Sequence, residues 1–180
     1  MESDPINQIV IKVGDLTREP VDAIVNAANS SLLGGGGVDG AIHRAGGPAL
    51  TDECRKLRNT KYPDGLPTSQ AVITGAGKMP ARHVIHTVGP IYGHHNGEEA
   101  SLLAACYANA IAIAAEHKLE TIAFPAISTG VYGYPKETAA KVSRRAIVEA
   151  LQVHTGIREV RLVFFSEDDA AIARKLEASA

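Results

Sequence analysis

The sequence predicts an α/β domain in which a largely parallel, mixed sheet lies between two layers of helices. Short β-branched or apolar runs alternate with longer segments in which apolar residues recur every three or four positions. These two patterns are typical of strands and amphipathic helices. Turns containing Gly or Pro separate the segments. The length of 180 residues suits one domain with a substantial core.

Six segments are predicted as strands because each is short, rich in β-branched or apolar residues, and bounded by turn residues. They cover residues 8–13, 21–28, 71–74, 84–88, 121–124 and 160–165.

Helical periodicity marks the segments that separate most of these strands. The first covers residues 38–57 and should break at Gly46-Gly47-Pro48, and a polar loop follows over residues 59–67. A second helix with a broad apolar stripe is predicted over residues 98–117. Pro135 is predicted as the first residue of a third, which runs to residue 153. Ser166 is predicted to cap the last helix, whose first turn is acidic.

A segment with four consecutive glycines, residues 26–40, joins the second strand to the first helix. Such a run costs backbone entropy and cannot pack a core, so something must require backbone without Cβ atoms. A flexible linker is the other interpretation, but the glycines lie between apolar elements and do not alternate with serine. The pattern favours close approach of a ligand, such as a phosphate, to main-chain N–H groups at a helix start.

A second loop of small residues, 128–134, also lies between a strand end and a helix start. In open α/β sheets, ligands bind beyond the carboxyl ends of the strands. Asp15 and Phe165 also follow strands, so four features should meet at one edge of the sheet.

The residue types of these features suggest what each could bind. Two facing loops suit a diphosphate. Tyr132 and Phe165 are either core residues or aromatic surfaces for a flat ligand group, and Asp15 is either a turn former or a ligand contact.

Several other site classes are not favoured. Residues 35–40 fit G-x-G-x-x-G, but no acidic residue ends a second strand about 20 positions on, as a dinucleotide fold needs. His83 and His86, three apart on a strand, should point to opposite faces, and His94 and His95 lack partners at metal spacing. The sequence therefore predicts no metal and no cofactor.

The composition indicates a soluble protein without a strong charge bias. The formal net charge is −2, with no basic block for nucleic acid or an anionic membrane surface. No apolar run reaches membrane-spanning length, and the first residues do not resemble a secretory signal. Cys54 and Cys106 lie in helical patterns among apolar neighbours, which predicts buried, reduced thiols. A cytoplasmic location is the simplest expectation.

Two long motifs resemble the macrodomain family, and within it the bacterial members of the MacroD-type class. They are Asn26-Ala27-Ala28-Asn29 with residues 34–43, and Pro125-Ala126-Ile127-Ser128-Thr129-Gly130-Val131-Tyr132-Gly133-Tyr134-Pro135. The resemblance extends over nearly the whole chain. It implies a single domain over residues 1–180 with a six-stranded mixed sheet. It also implies binding of ADP-ribose and hydrolysis of its esters, namely O-acetyl-ADP-ribose and mono-ADP-ribosylated acidic side chains of proteins.

The resemblance also implies roles by position. Asp15, with the Leu16 N–H beside it, matches the residue that contacts the adenine amino group. Asn29 matches the asparagine at the distal ribose, and Asp39 matches the catalytic aspartate. Phe165 falls where the family has an aromatic residue against the adenine.

The two loops supply the remaining ligand contacts. By the same resemblance, Gly36, Gly37 and Val38 contribute the N–H groups of the glycine segment. The loop over the diphosphate is made of Ser128, Thr129, Gly130, Val131 and Tyr132, and Tyr132 lies near the distal ribose.

The chemistry of ester hydrolysis fits these residue types. A water must be positioned and the sugar held, and the Asn29 amide can both donate to and accept from ribose hydroxyls. Asp39 lies at a helix start, where the dipole favours a carboxylate. We therefore expect Asp39 to orient water or ribose, with a phosphate oxygen assisting, while direct action as a base stays open. The rival functions are a reader that binds ADP-ribose without cleaving it, and a regulatory domain that binds protein or RNA.

Overall fold

The computed structural model describes residues 4–178 and confirms the α/β prediction. The strands are β1 (Ile9–Val13), β2 (Ala23–Ala28), β3 (Ala71–Gly75), β4 (His83–Val88), β5 (Thr121–Phe124) and β6 (Glu159–Phe164). The helices are α1 (Gly37–Gly46), α2 (Pro48–Thr60), α3 (Glu99–Glu116), α4 (Lys136–Val153) and α5 (Glu167–Ala178). Short 3-10 turns cover Pro5–Gln8 and Leu16–Arg18.

The six strands form one mixed sheet in the order β1-β6-β5-β2-β4-β3. All neighbouring pairs are parallel except β3 with β4. The carboxyl ends of β1, β6, β5, β2 and β4 therefore lie at the same edge of the sheet, as predicted for the ligand site.

Apolar side chains fill both faces of the sheet. On one face, α3 and α4 bury residues such as Leu103, Ile111 and Ile147 in a cluster that includes side chains of β4, β5 and β6. On the other, α1 and α2 bury Ile42 and Leu50 against β2 and β4. Because α5 packs beside α4, the layers hold two helices on one face and three on the other.

Local backbone chemistry sets the helix boundaries. The predicted break is confirmed: α1 ends at Gly46, Gly47 has a φ of 80°, and Pro48 begins α2. The helix α2 extends to Thr60, slightly into the predicted loop. Pro135 was predicted as the first residue of α4, and that prediction is wrong by one position. Its ψ of 128° is not helical, so Pro135 is the residue that precedes this helix. Ser166 caps α5 as predicted, because its Oγ accepts from the Asp169 N–H at 3.2 Å.

Within residues 4–178, every helix is too short or too polar to cross a lipid bilayer.

Candidate active site

Asp15 and Phe165 meet at the carboxyl edge of β1 and β6. The Gly14 N–H donates to the Phe164 carbonyl at 2.9 Å, which continues the pairing of these strands beyond their ends. The Phe165 side chain is 70% exposed, so it is not part of the core. An exposed aromatic beside a carboxylate can contact a flat, polar ligand group.

Asp15 forms the local turn that was one of its two predicted roles. Its Oδ1 accepts from the Thr17 N–H at 2.9 Å and from the Thr17 hydroxyl at 2.7 Å. The bond from the Thr17 hydroxyl lowers the pKa of Asp15. Its Oδ2 lies 3.7 Å from Arg18 Nε and is otherwise free toward solvent. The Leu16 N–H has no acceptor among the described residues, so one donor and one carboxylate oxygen face the site edge.

The glycine segment brings Asn29 and Asp39 together. The Asn29 Nδ2 donates to the Gly34 carbonyl at 2.8 Å, and its Oδ1 accepts from the Ser31 N–H at 3.0 Å. A Cβ added at Gly35 would lie 2.9 Å from Asn29 Nδ2 and 3.2 Å from Asp39 Oδ2. Only glycine at position 35 therefore lets these two side chains approach each other over the backbone.

The start of α1 forms an open cradle of N–H groups. The Gly36 residue precedes the helix without a side-chain cap, and Gly37 has a φ of 57°. A Cβ added at either glycine would meet no atom within 4 Å. The first N–H groups of a helix lack intrahelical acceptors and attract anions. The cradle can therefore bind a phosphate without a basic side chain.

The second loop lies at the carboxyl end of β2, the strand from which the glycine segment leaves the sheet. Ser128 follows β5, and a Cβ on Gly89, which follows β4, would lie 2.2 Å from the Ser128 Oγ. Because β2 lies between β5 and β4, the loop crosses the carboxyl end of β2, where Asn29 leaves the sheet.

The backbone of this loop is shaped to offer donors. Ser128 has a φ of 66°, and its carbonyl accepts from the Tyr134 N–H at 2.9 Å. Within residues 4–178, the N–H groups of Thr129, Gly130 and Val131 have no acceptor. The Val131 side chain is fully exposed and Tyr132 is half-buried. Both loops thus carry N–H groups without an acceptor, and their role at a diphosphate stays a prediction.

Asp39 is 5% exposed and is fixed by two neighbours. Its Oδ1 accepts from Asn26 Nδ2 at 2.8 Å, and His43 Nε2 lies 3.4 Å from the same oxygen. Its Oδ2 has no partner among the described residues and lies toward Gly35 and Asn29. The carboxylate therefore has one oxygen used for orientation and one that faces the cleft.

Behind Asp39 lies a buried polar network that the sequence analysis missed. Asn26 and His86 are direct partners across β2 and β4 and are both fully buried. Asn26 Nδ2 lies 3.1 Å from His86 Nδ1, and His86 Nε2 lies 2.9 Å from the Thr74 hydroxyl and 3.7 Å from Cys54 Sγ. The sequence does contain one indication of this network. Asn26 and His86 are polar residues inside otherwise apolar strands, and buried polar residues need partners.

The described residues contain no group of three His, Cys, Asp or Glu side chains placed to hold a metal ion. His83 is half-buried and bonds the Thr74 carbonyl, while His86 is on the opposite face, as their spacing predicted. Both cysteines are free and buried, as predicted. Burial raises the pKa of Cys54 to about 12 and that of Cys106 to about 11, so both thiols are protonated and unreactive at neutral pH.

Comparison with known proteins relates this geometry to one family. The model of the Macro domain family matches residues 25–143. A macro domain-containing protein of Caldanaerobacter subterraneus subsp. tengcongensis is 51% identical over 162 residues, covering 90% of this chain and 91% of the relative. A Klebsiella pneumoniae protein named O-acetyl-ADP-ribose deacetylase is 52% identical over 167 residues, covering 93% and 94%.

Solved structures give the same relationship. An Oceanobacillus iheyensis macrodomain, solved as a glycine-to-valine mutant with ADP-ribose, has a TM-score of 0.88 and 47% identity over 92% of this chain and 89% of its own. A Trypanosoma brucei macrodomain in complex with ADP-ribose has a TM-score of 0.87 and 38% identity over 98% of this chain and 72% of its own.

Proposed function

Because this chain belongs to the macrodomain family, we propose that it is a hydrolase that binds ADP-ribose and cleaves ADP-ribosyl esters. Its substrates are O-acetyl-ADP-ribose and proteins mono-ADP-ribosylated on acidic side chains. One observation carries this proposal: the buried Asp39 carboxylate, oriented by Asn26, directs its free oxygen toward Asn29 beside an open N–H cradle. A binding module needs the cradle but has no use for an oriented carboxylate.

The features of the edge match the parts of ADP-ribose in order along the sheet. Asp15, the Leu16 N–H and the exposed Phe165 ring suit adenine, which offers an amino donor, ring acceptors and a flat face. The helix start and the second loop suit the diphosphate, and Asn29 with Asp39 suits the distal ribose. Tyr132, at the end of the second loop, lies on the ribose side in this arrangement.

The reaction adds water to the ester carbonyl carbon and releases the acid and ADP-ribose. Asp39 Oδ2 accepts a hydrogen bond from the attacking water or from a ribose hydroxyl. Asn29 holds the ribose, and a phosphate oxygen of the substrate can accept the water proton. The proton ends on the departing ribose oxygen. The N–H groups balance the phosphate charge, so the reaction needs no metal ion.

The proposal extends to partners and location. The macromolecular partners are ADP-ribosylated proteins rather than nucleic acid, because the formal net charge is −2 and no basic block is present. Two buried free thiols suit a reducing, cytoplasmic compartment. The rival reader function would use the same cleft without turnover.

The test is to incubate the protein with O-acetyl-ADP-ribose and with a protein mono-ADP-ribosylated on glutamate. Release of free ADP-ribose from both is the expected result. Tight calorimetric binding of ADP-ribose without release from either substrate would favour the reader. Absence of both binding and release would favour a regulatory domain that binds other macromolecules.

A further inference from the structure

We infer that His86 is a positioning residue of this enzyme, which holds the Asn26 amide in the orientation that directs Asp39 toward the cleft. The inference rests on the proposed hydrolase function. His86 is fully buried, and the polar atoms within reach of its ring belong to Asn26, Thr74 and Cys54 rather than to the cradle glycines or the second loop. It would act only through Asn26 and Asp39.

The Asn26 amide must present its nitrogen to Asp39, because a carboxylate only accepts hydrogen bonds. The same nitrogen lies 2.8 Å from Asp39 Oδ1 and 3.1 Å from His86 Nδ1. Its two hydrogens therefore serve these two acceptors. A half-turn of the amide would place its oxygen against the carboxylate and against the His86 lone pair, so both contacts oppose the turn.

The amide oxygen does not hold this orientation. Asn26 Oδ1 is buried and has no hydrogen-bond partner among the described residues. A buried acceptor left unpaired is costly, so the orientation depends on the two bonds made by the nitrogen. Loss of the His86 acceptor would remove one of them and let the amide turn away from Asp39.

The far side of His86 fixes its tautomer. The Thr74 hydroxyl donates its hydrogen to the Gly75 carbonyl at 2.8 Å, so at 2.9 Å it can only accept from His86 Nε2. The proton of a neutral His86 is then on Nε2, and Nδ1 is free to accept from Asn26. Two independent contacts thus require the same tautomer.

The electrostatic surroundings keep His86 neutral. The titratable groups that face it are Asp39 and His43 of α1 and Cys54 of α2. Burial, and then the charge of His43, lower the pKa of His86 to about 4, although Asp39 raises it. A neutral ring keeps the Nδ1 lone pair that the Asn26 amide requires.

The first experiment compares His86→Leu with His86→Asn. An asparagine places its Oδ1 at the same number of bonds from the backbone as His86 Nδ1, so it keeps an acceptor for Asn26, whereas leucine fills the space and offers none. We expect His86→Leu to lower kcat for O-acetyl-ADP-ribose about ten- to a hundredfold. Calorimetric affinity for ADP-ribose should stay near wild type, and His86→Asn should recover most of the loss.

His83→Leu is the matched control, since His83 lies on the same strand with its side chain on the opposite face. It should leave kcat unchanged. If packing alone mattered, leucine would preserve kcat at least as well as the smaller asparagine. A kcat of His86→Leu that equals or exceeds that of His86→Asn, or that equals wild type, would overturn the inference.

A second measurement needs no turnover and is made on the wild-type protein. Long-range proton–nitrogen NMR of the wild-type histidines reports which ring nitrogen carries the proton. We expect the Nε2–H tautomer for His86, with Thr74→Val used to assign its signal. A proton on Nδ1 would overturn the inference even in an active enzyme. A wild type that fails to hydrolyse any ester would refute the hydrolase and leave this tautomer result valid.

Discussion

Asp39 uses its two carboxylate oxygens for different purposes. The Oδ1 atom is held by Asn26 and lies near His43, and the Oδ2 atom faces Asn29 across Gly35. A side chain held in this way loses little freedom when a substrate arrives, so its position is ready for the transition state.

Asp15 has two candidate roles, as a turn residue and as a ligand contact, and one substitution distinguishes them. Asp15→Asn keeps an oxygen for Thr17 but turns the outward oxygen into an amino group, which cannot accept from adenine. We expect this variant to weaken ADP-ribose binding by about 1.5–3 kcal/mol, the range for a hydrogen bond to a charged group. Isothermal calorimetry measures the loss. Unchanged affinity in the folded variant would leave Asp15 as a turn residue only.

Residues adjacent in the chain were easier to predict than residues adjacent only in the fold. Asn29 and Asp39 share one glycine segment, and the motif therefore indicated both. Asn26 and His86 lie 60 positions apart and meet only because β2 pairs with β4 in a particular register. No local pattern encodes that register, so the polar positions inside the strands were visible in the sequence but the pairing of Asn26 with His86 was not.

At the scale of elements, the loop between β2 and α1 depends on two glycines for different reasons. Gly35 has no room for a Cβ in the free protein, whereas Gly36 has room that faces the cleft. The same substitution should therefore have different effects at the two positions.

Gly36→Ala should leave the unfolding free energy nearly unchanged, because its φ of −91° suits alanine and no atom lies within 4 Å. It should weaken ADP-ribose binding by about 1–3 kcal/mol, since the new methyl group crowds the diphosphate. Gly156→Ala, with equal space far from the site, is the control for calorimetry. If Gly36→Ala and Gly156→Ala bind ADP-ribose with equal affinity, the diphosphate does not bind at Gly36.

Gly35→Ala should reduce turnover more than Gly36→Ala does. Its methyl group would lie 2.9 Å from Asn29 Nδ2 and 3.2 Å from Asp39 Oδ2, so one side chain must move. Single-turnover rates at saturating enzyme separate this effect from binding. A Gly35→Ala rate equal to wild type would mean that the spacing of Asn29 and Asp39 is not important.

The alternation of strands and helices, the break before Pro48 and the cap at Ser166 were all predictable, because local chemistry determines them. The extension of α2 to Thr60 and the place of Pro135 outside α4 were not. Both differences are of a few residues at most, which is the margin within which helix ends fray and a helical pattern does not define them.

At the scale of the whole molecule, His86 links stability to pH. Its pKa is lowered from 6.5 to about 4 in the folded protein, so between these values the unfolded chain binds more protons. The unfolding free energy should therefore rise with pH across this window, by about 3 kcal/mol in total. Urea unfolding from pH 4 to 7 measures the slope, and His86→Leu should flatten it. If the unfolding free energy of His86→Leu has the same slope with pH as that of wild type, groups other than His86 cause the pH dependence.

The whole site should work without a metal ion. In the proposed complex the backbone N–H groups of two loops bind the diphosphate, and residues 4–178 hold no cluster of three metal-binding side chains. We expect hydrolysis of O-acetyl-ADP-ribose to continue at its full rate in excess EDTA. Loss of the activity in chelator, with recovery on addition of Mg²⁺ or Zn²⁺, would contradict this expectation.

The most direct test of the proposed function pairs catalysis with binding in Asp39→Ala. In the proposed complex, backbone atoms of the cradle hold the diphosphate and are left in place by this substitution, whereas the bond to be broken lies at the distal ribose. Single-turnover release of ADP-ribose should fall by about a hundredfold or more. Calorimetric affinity for ADP-ribose should stay equal or rise slightly, since a carboxylate near the phosphates is removed. Wild-type release by Asp39→Ala would exclude Asp39 from the reaction and contradict the site assignment.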